Sequence, residues 1–143
     1  MKNTILSLSL AVLAMLNAAH SPLAHADTAV ASGDLQHAFS SWGSPSLQGD
    51  WQIVEDNGAH FIELSDNFKA KKGPDVKIFL SPTPAEQITG SNAVTGSVFV
   101  TLISDFKGKA RIAIPAGTDI SAFQSLVFHC EEYSKLWGSS TLR

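Results

Sequence analysis

Cysteine is nearly absent from this sequence, which has a single thiol, Cys130, among 143 residues. One cysteine cannot form a disulfide within its own chain, and it excludes iron–sulfur clusters and zinc sites that need several thiolates. It must therefore be a buried inert residue, a thiol paired with another molecule, or a free reactive group. Most of the functional question depends on which of these applies.

Catalytic sequence motifs are absent as well. The chain has no Gly-x-Ser-x-Gly elbow, no phosphate-binding loop, no His-Glu-x-x-His motif, no Cys-x-x-Cys pair and no Cys-x-x-Cys-His haem attachment site. These absences remove the usual support for a hydrolase or a kinase. Enzymatic activity is left open, and a protein that does not turn over a small substrate is favoured.

Residues 1–26 have the features of an export signal peptide. Lys2 gives a positive end, residues 5–16 form an almost unbroken apolar run, and Ala24-His25-Ala26 is a small-x-small cleavage site. The run is too short to span a bilayer as a mature helix, and no second apolar stretch follows. We expect cleavage near Ala26, which removes both methionines, and a periplasmic or secreted protein without a stable membrane anchor.

The charge balance is acidic. Ten Lys and Arg residues against thirteen Asp and Glu residues give a formal net charge of −3. This balance argues for solubility and against nucleic acid or anionic lipid as the partner. In an oxidising compartment, where thiols are usually paired, the expected redox partner of a lone cysteine is another protein or a small thiol.

Beyond the leader, short β-branched and aromatic runs alternate with turn residues, and there is no convincing amphipathic helix. The pair of runs at residues 51–54 and 60–64 flanks Asn57-Gly58, a strong hairpin signal because both residues tolerate positive φ. The pattern predicts an all-β fold, an antiparallel sandwich or barrel-like domain of about seven to nine short strands. The expected segments are a flexible arm (27–38), one domain (39–143), a surface loop (81–93) and a helical turn (119–123).

The predicted strand that ends at Cys130 contains the most informative residues. In a strand, Cys130 shares one face with Leu126 and Phe128, whereas His129 points to the other face. The first interpretation is a core cysteine that acts as a small apolar residue. The second is a redox thiol at a strand end, with His129 as a tuner or co-ligand if its imidazole bends back toward the sulfur.

A metal or haem site would have to be assembled by the fold. His37, His60 and His129 have no ligand-like spacing, and no carboxylate is placed to orient them, so no metal site is predicted. A b-type haem between two histidines, or between a histidine and Cys130, has no motif to support it, and the cofactor stays unknown. Aspartates at the predicted turns lack the spacing of a calcium-binding loop.

Several segments, in their order along the chain, resemble the DM-thirteen domain, the small module found beside DOMON domains in Skeletor-type proteins and alone in exported bacterial proteins. They read Leu64-Ser65-Asp66-Asn67-Phe68, Gly73-Pro74-Asp75-Val76-Lys77-Ile78-Phe79-Leu80-Ser81, Ala113-Ile114-Pro115-Ala116-Gly117-Thr118-Asp119 and Ser125-Leu126-Val127-Phe128-His129-Cys130-Glu131, followed by Trp137-Gly138. The similarity extends over about residues 39–142. Its most specific part is the order of a Gly-Pro-Asp strand, a Pro-x-Gly turn and a strand that ends in cysteine.

The resemblance implies a β-sandwich-like domain with an electron-transfer or redox role centred on the family's cysteine, which corresponds to Cys130. In many members an aromatic residue precedes this cysteine, whereas this chain has His129, a titratable and metal-competent group. Because the chain has one cysteine, a thiol cycle needs a second molecule: another copy, a small thiol or a partner protein. Cycling through sulfenic acid and ligation of a haem are the alternatives.

Two functional hypotheses follow. In the first, the mature chain is a redox or electron-transfer module that uses Cys130, with His129 as tuner or co-ligand. In the second, it is a non-catalytic interaction or adhesion module in which Cys130 is packed and the loops at residues 73–75 and 81–93 contact a partner. The first requires an accessible thiol or an absorbing cofactor, and the second requires neither. A calcium-assisted carbohydrate-binding sandwich is a third alternative.

Overall fold

The structure is a computed structural model, and it describes residues 27–35, 38–40 and 46–143. Within these residues the chain forms ten strands: β1 (Thr28–Asp34), β2 (Leu47–Gln48), β3 (Asp50–Asp56), β4 (Ala59–Leu64), β5 (Lys69–Ala70), β6 (Val76–Ser81), β7 (Val98–Leu102), β8 (Ala110–Ala113), β9 (Ser125–Cys130) and β10 (Lys135–Thr141). Two single-turn 3-10 helices are present, η1 (Ala85–Gln87) and η2 (Ile120–Ala122). No helix in this part is long and apolar enough to cross a membrane. The expected signal peptide lies outside the described residues.

Two four-stranded antiparallel sheets form the body of the domain. Sheet A has the strand order β1-β3-β4-β8 and sheet B has the order β10-β9-β6-β7, while β2 and β5 form a short ribbon. Residues of both sheets point into one shared core, so the architecture is sandwich-like. The predicted all-β antiparallel fold is confirmed. The described part has ten strands because β2 and β5, with two residues each, add to the eight longer ones.

The β3–β4 hairpin forms where the Asn-Gly pair predicts it. Asn57 and Gly58 have positive φ values of 51° and 81°, and Asp56 pairs directly with Ala59 across the turn. Two consecutive residues with positive φ are typical of a type I′ turn, whose twist matches that of the strands it joins. The turn therefore fixes the register of the two central strands of sheet A.

The core between the sheets is built from the residues that the strand alternation predicts. Ile53 and Ile62 of sheet A belong to one packed cluster with Ile78 and Phe128 of sheet B, and none of the four has exposed surface. The same cluster includes Cys130, on the face of β9 that the sequence predicts for it. Burial of each large apolar side chain contributes about 1.5–3 kcal/mol relative to exposure, so this interface holds the two sheets together.

The outer face of sheet B is covered by the β6–β7 connection, residues 82–97. Ser139 Oγ donates a hydrogen bond of 2.7 Å to the Ala85 carbonyl and so fastens η1 to β10. Residues 81–93, expected as a surface loop, are therefore partly buried against sheet B. Their prolines and polar residues are typical of a loop, so the composition does not indicate this packing. A second apolar cluster joins sheet and cover: Phe79, Val127 and Leu136 of sheet B with Ile88 and Ala93 of the connection.

The expected flexible arm, residues 27–38, contains strand β1 instead. This strand pairs antiparallel with the edge of β3, and Ala31 and Leu35 are 7% and 1% exposed. The Asp27 carboxylate accepts a hydrogen bond of 2.6 Å from the Arg111 guanidinium, which ties the start of the segment to β8. The small side chains of this segment give little strand signal, and its order comes from tertiary pairing with an edge that only the folded sheet presents.

Substitution of Phe128 by alanine should lower the free energy of unfolding by about 3–5 kcal/mol, because it leaves a cavity at a site without exposed surface. The matched substitution Phe99→Ala removes a side chain that is 50% exposed and should cost about 1 kcal/mol. Urea unfolding followed by tryptophan fluorescence measures both values. Equal losses in the two variants would contradict the assignment of β9 to the core.

Candidate functional site

Cys130 is the last residue of β9, and its side chain lies inside the core. It pairs with Val76 of β6 on one side and with Lys135 of β10 on the other. The residue is 0% exposed and belongs to the cluster that also contains Phe128 and Trp137. In this structure a reagent or partner in solution therefore cannot reach the thiol.

His129 points away from Cys130, to the outer face of sheet B. The residue is 3% exposed, and its imidazole meets the Phe79 ring edge-on with 6.5 Å between the ring centroids. Within the described residues, Nδ1 has no hydrogen-bond partner. Burial lowers the pKa of His129, against the smaller opposing effects of the Glu131 charge and a hydrogen bond with the Lys135 backbone. The imidazole is therefore held in its neutral form near pH 7.

A three-residue ion cluster lies beside His129 at the same end of sheet B. Lys77, which pairs with His129 across the β6–β9 ladder, contacts the Asp75 carboxylate at 3.2 Å and also donates a hydrogen bond to Glu131. The hydrogen bond to Glu131 is the main cause that raises the pKa of Lys77. Because Glu131 directly follows Cys130, this cluster fastens the end of β9 to β6.

The turn that follows Cys130, residues 131–134, is exposed along its whole length. Ser134 has a positive φ of 48°, and its N–H donates to the Glu131 carbonyl at 3.0 Å. Gly90 of the β6–β7 connection lies so close to this turn that a Cβ added at Gly90 would be 2.0 Å from the Ser134 carbonyl oxygen. The thiol thus lies one residue from exposed backbone, below a turn that the ion cluster and the cover hold in place.

The family model described as Electron transfer DM13 matches residues 38–142. This chain belongs to the DM13 electron-transfer family. The match includes β2 to β10 with Cys130 and His129, and it confirms the resemblance to the DM-thirteen domain. Comparisons with the curated proteins and with the solved structures find no match.

A haem ligated by Cys130 does not fit this DM13 structure. The sulfur is enclosed in the core on the inner face of β9, and His129 lies on the outer face, so the two side chains cannot ligate one iron together. Of the other histidines, His60 belongs to sheet A, and His37 lies outside the described residues. The part of the chain that the structure describes has no group of three or more His, Cys, Asp or Glu side chains that could hold a metal ion.

Three surface cavities of the DM13 domain are lined by residues other than Cys130 and His129. One of about 590 Å³ is next to Trp51 in sheet A, and one of about 420 Å³ is beside His60. A third, of about 490 Å³, is lined by lysines at β5 and at the β7–β8 connection. No sequence motif indicates this lysine-lined cavity. Its signal in the sequence is a pair of basic segments in an acidic chain, Lys69-Ala70-Lys71-Lys72 and Lys107-Gly108-Lys109.

The buried neutral His129 predicts that the domain loses stability on acidification. Below about pH 6.5, the usual imidazole pKa, the unfolded chain binds a proton at this position, whereas the folded chain, with its lowered pKa, does not. The free energy of unfolding should therefore fall from pH 7 toward pH 5, by at most about 1.4 kcal/mol per pH unit from this group. Urea titrations should show that His129→Phe removes this part of the fall and that His60→Gln keeps it. An unchanged pH dependence in His129→Phe would contradict the account.

Proposed function

We propose that this DM13 domain is an exported electron-transfer module whose redox group is the thiol of Cys130. The family match carries the proposal, because it covers β2 to β10 and the chain has one thiol to serve as the redox group. The signal-peptide features of residues 1–26 support export to the periplasm or the medium. Such a compartment supplies disulfide-bearing proteins and small thiols as exchange partners.

The burial of Cys130 restricts the mechanism to an opened form of the domain. The thiol has no exposed surface, but the exposed turn at residues 131–134 begins at the next position. Release of the Lys77–Glu131 contact and fraying of the β9–β10 hairpin end would bring the sulfur to solvent without separating the sheets. Local openings of this kind cost less free energy than global unfolding.

In the opened form, the Cys130 thiolate attacks one sulfur of a partner disulfide. A new disulfide bond forms between Cys130 and that sulfur, the partner's own bond breaks, and the leaving sulfur departs as a thiolate. The Cys130 sulfur is oxidised, the leaving sulfur is reduced, and the proton released by the thiol balances the one that the leaving thiolate takes up. A second thiol then attacks the mixed disulfide and regenerates Cys130. His129 can act as a tuner only in this form, because the intact strand keeps the two side chains on opposite faces.

A second function is favoured by the packing itself. Cys130 is 0% exposed among large apolar side chains, as expected of a structural cysteine that fills space. On that basis the domain would be a non-catalytic interaction module, with no chemistry at the sulfur.

Native-state thiol labelling as a function of urea separates the two functions. For the electron-transfer module, the rate at which dithiodipyridine labels Cys130 well below the unfolding transition should change little with urea, because a small opening exposes little surface. For the interaction module, the rate should rise with the full urea dependence of global unfolding. Mass spectrometry of the intact protein measures the rate, and Cys130→Ser is the unlabelled control.

Loss of the ion cluster should accelerate labelling of the electron-transfer module. Lys77→Gln removes the contacts with Asp75 and Glu131 and should raise the labelling rate about two- to fivefold, in line with the weak energies of exposed ion pairs. The matched substitution Lys109→Gln removes a charge away from this turn and should leave the rate unchanged. A rate that follows global unfolding in all variants would assign Cys130 to the structural role.

A further inference from the structure

Lysines are concentrated in one region of this acidic chain. Five of its ten Lys and Arg residues lie in two short segments, residues 69–72 and 107–109. Lys69 and Lys107 face each other across an isolated antiparallel β-bridge. Like charges directly opposite each other on neighbouring strands are destabilising, so this pairing works against the fold.

Two sets of cations in this domain differ in their contacts. Arg111 contacts Asp27, Asp56 and Glu63, and Lys77 contacts two carboxylates, so both serve the fold through ion pairs.

By contrast, the lysines that line the cavity of about 490 Å³ form no ion pair among the described residues: Lys69, Lys72 and Lys107. Asp105 lines the same cavity without pairing with any of them, and Phe106 gives it a half-buried apolar wall.

The backbone that bears these lysines is held on several sides. The Ala70 N–H donates to the Phe106 carbonyl at 2.8 Å, and the Gly108 N–H donates to the Phe68 carbonyl at 2.9 Å. The Lys71 carbonyl accepts a hydrogen bond of 2.7 Å from the Trp137 indole. The cavity is therefore a preformed basic surface, which loses little backbone entropy when a partner binds.

The lysine-lined cavity lies at the same end of sheet B as Cys130. Ser104 lines the cavity and directly follows Ile103. The Ile103 N–H donates a hydrogen bond of 2.9 Å to the Val76 carbonyl of β6. Val76 in turn pairs with Cys130 of β9. Two antiparallel strand spacings of roughly 5 Å place the backbone of Ile103 about 10 Å from that of Cys130. A partner seated on the cavity would therefore stand beside the strand end that carries the thiol.

We propose that the cavity lined by Lys69, Lys72 and Lys107 is the docking site for a carboxylate-rich face of the protein that exchanges electrons with Cys130. This inference rests on the proposed function and names the surface that its partner uses. Three ammonium groups that form no ion pair with any described residue complement a cluster of carboxylates, and Phe106 adds apolar contact. Attraction of this type orients a weak, short-lived encounter and decreases as salt increases.

Binding of a fluorescent hexaglutamate peptide to the folded chain tests the docking site. The double variant Lys69→Gln/Lys107→Gln should weaken binding at low salt about fivefold, because it removes two of the three cavity cations. The control Lys109→Gln/Arg143→Gln changes the net charge equally outside this cavity and should weaken binding less than about twofold. Equal weakening in both variants, or none in either, would overturn the proposal. Binding of phosphatidylglycerol vesicles through the same lysines, without binding of the peptide, would also overturn it in favour of a lipid surface.

The peptide assay does not depend on thiol chemistry, so its failure can be told apart from failure of the proposed function. If the peptide binds through the cavity lysines but Cys130 is labelled only after global unfolding, the redox role is overturned. The cavity would then be the partner surface of an interaction module. Labelling through local opening, without peptide binding, would keep the redox role and overturn the docking site. Loss of both would overturn both.

Discussion

The complete burial of strand β9 is the constraint on which the rest of the structure depends. All six of its residues are buried, with Leu126, Phe128 and Cys130 in the core between the sheets. On the other face, Val127 packs against Ile88 and Ala93 of the β6–β7 connection, and His129 is 3% exposed. A strand covered on both faces must be matched by apolar groups on both sides, which explains why the sandwich needs a third layer over sheet B.

This constraint also determines what chemistry Cys130 can do. Its thiol is enclosed at rest, but it lies at the strand end, next to an exposed turn that Lys77 and Glu131 fasten. Under the proposed function, electron transfer through the thiol needs a local opening, and enclosure at rest protects the sulfur from nonspecific oxidation. The lysine-lined cavity at the same end of sheet B would bring a partner to the opening.

Strand alternation and turn chemistry predicted the central part of the fold. The Asn57-Gly58 hairpin and the opposite orientations of His129 and Cys130 follow from local rules that need only neighbouring residues. Strand β1 and the cover over sheet B were not predicted, because small or polar segments become ordered only through surfaces that the folded sheets provide. Periodicity assigns His129 to a face but cannot tell what covers that face, and the lysine-lined cavity joins segments that are distant in the chain.

Incubation of the folded protein in a glutathione redox buffer tests the central claim most directly. If Cys130 is a redox thiol reached by local opening, mass spectrometry should find one glutathione joined to it by a mixed disulfide, under conditions in which global unfolding is negligible. The adduct should disappear on addition of a reductant. A chain that stays unmodified until denaturant unfolds it would contradict the claim and make Cys130 a structural residue of the core.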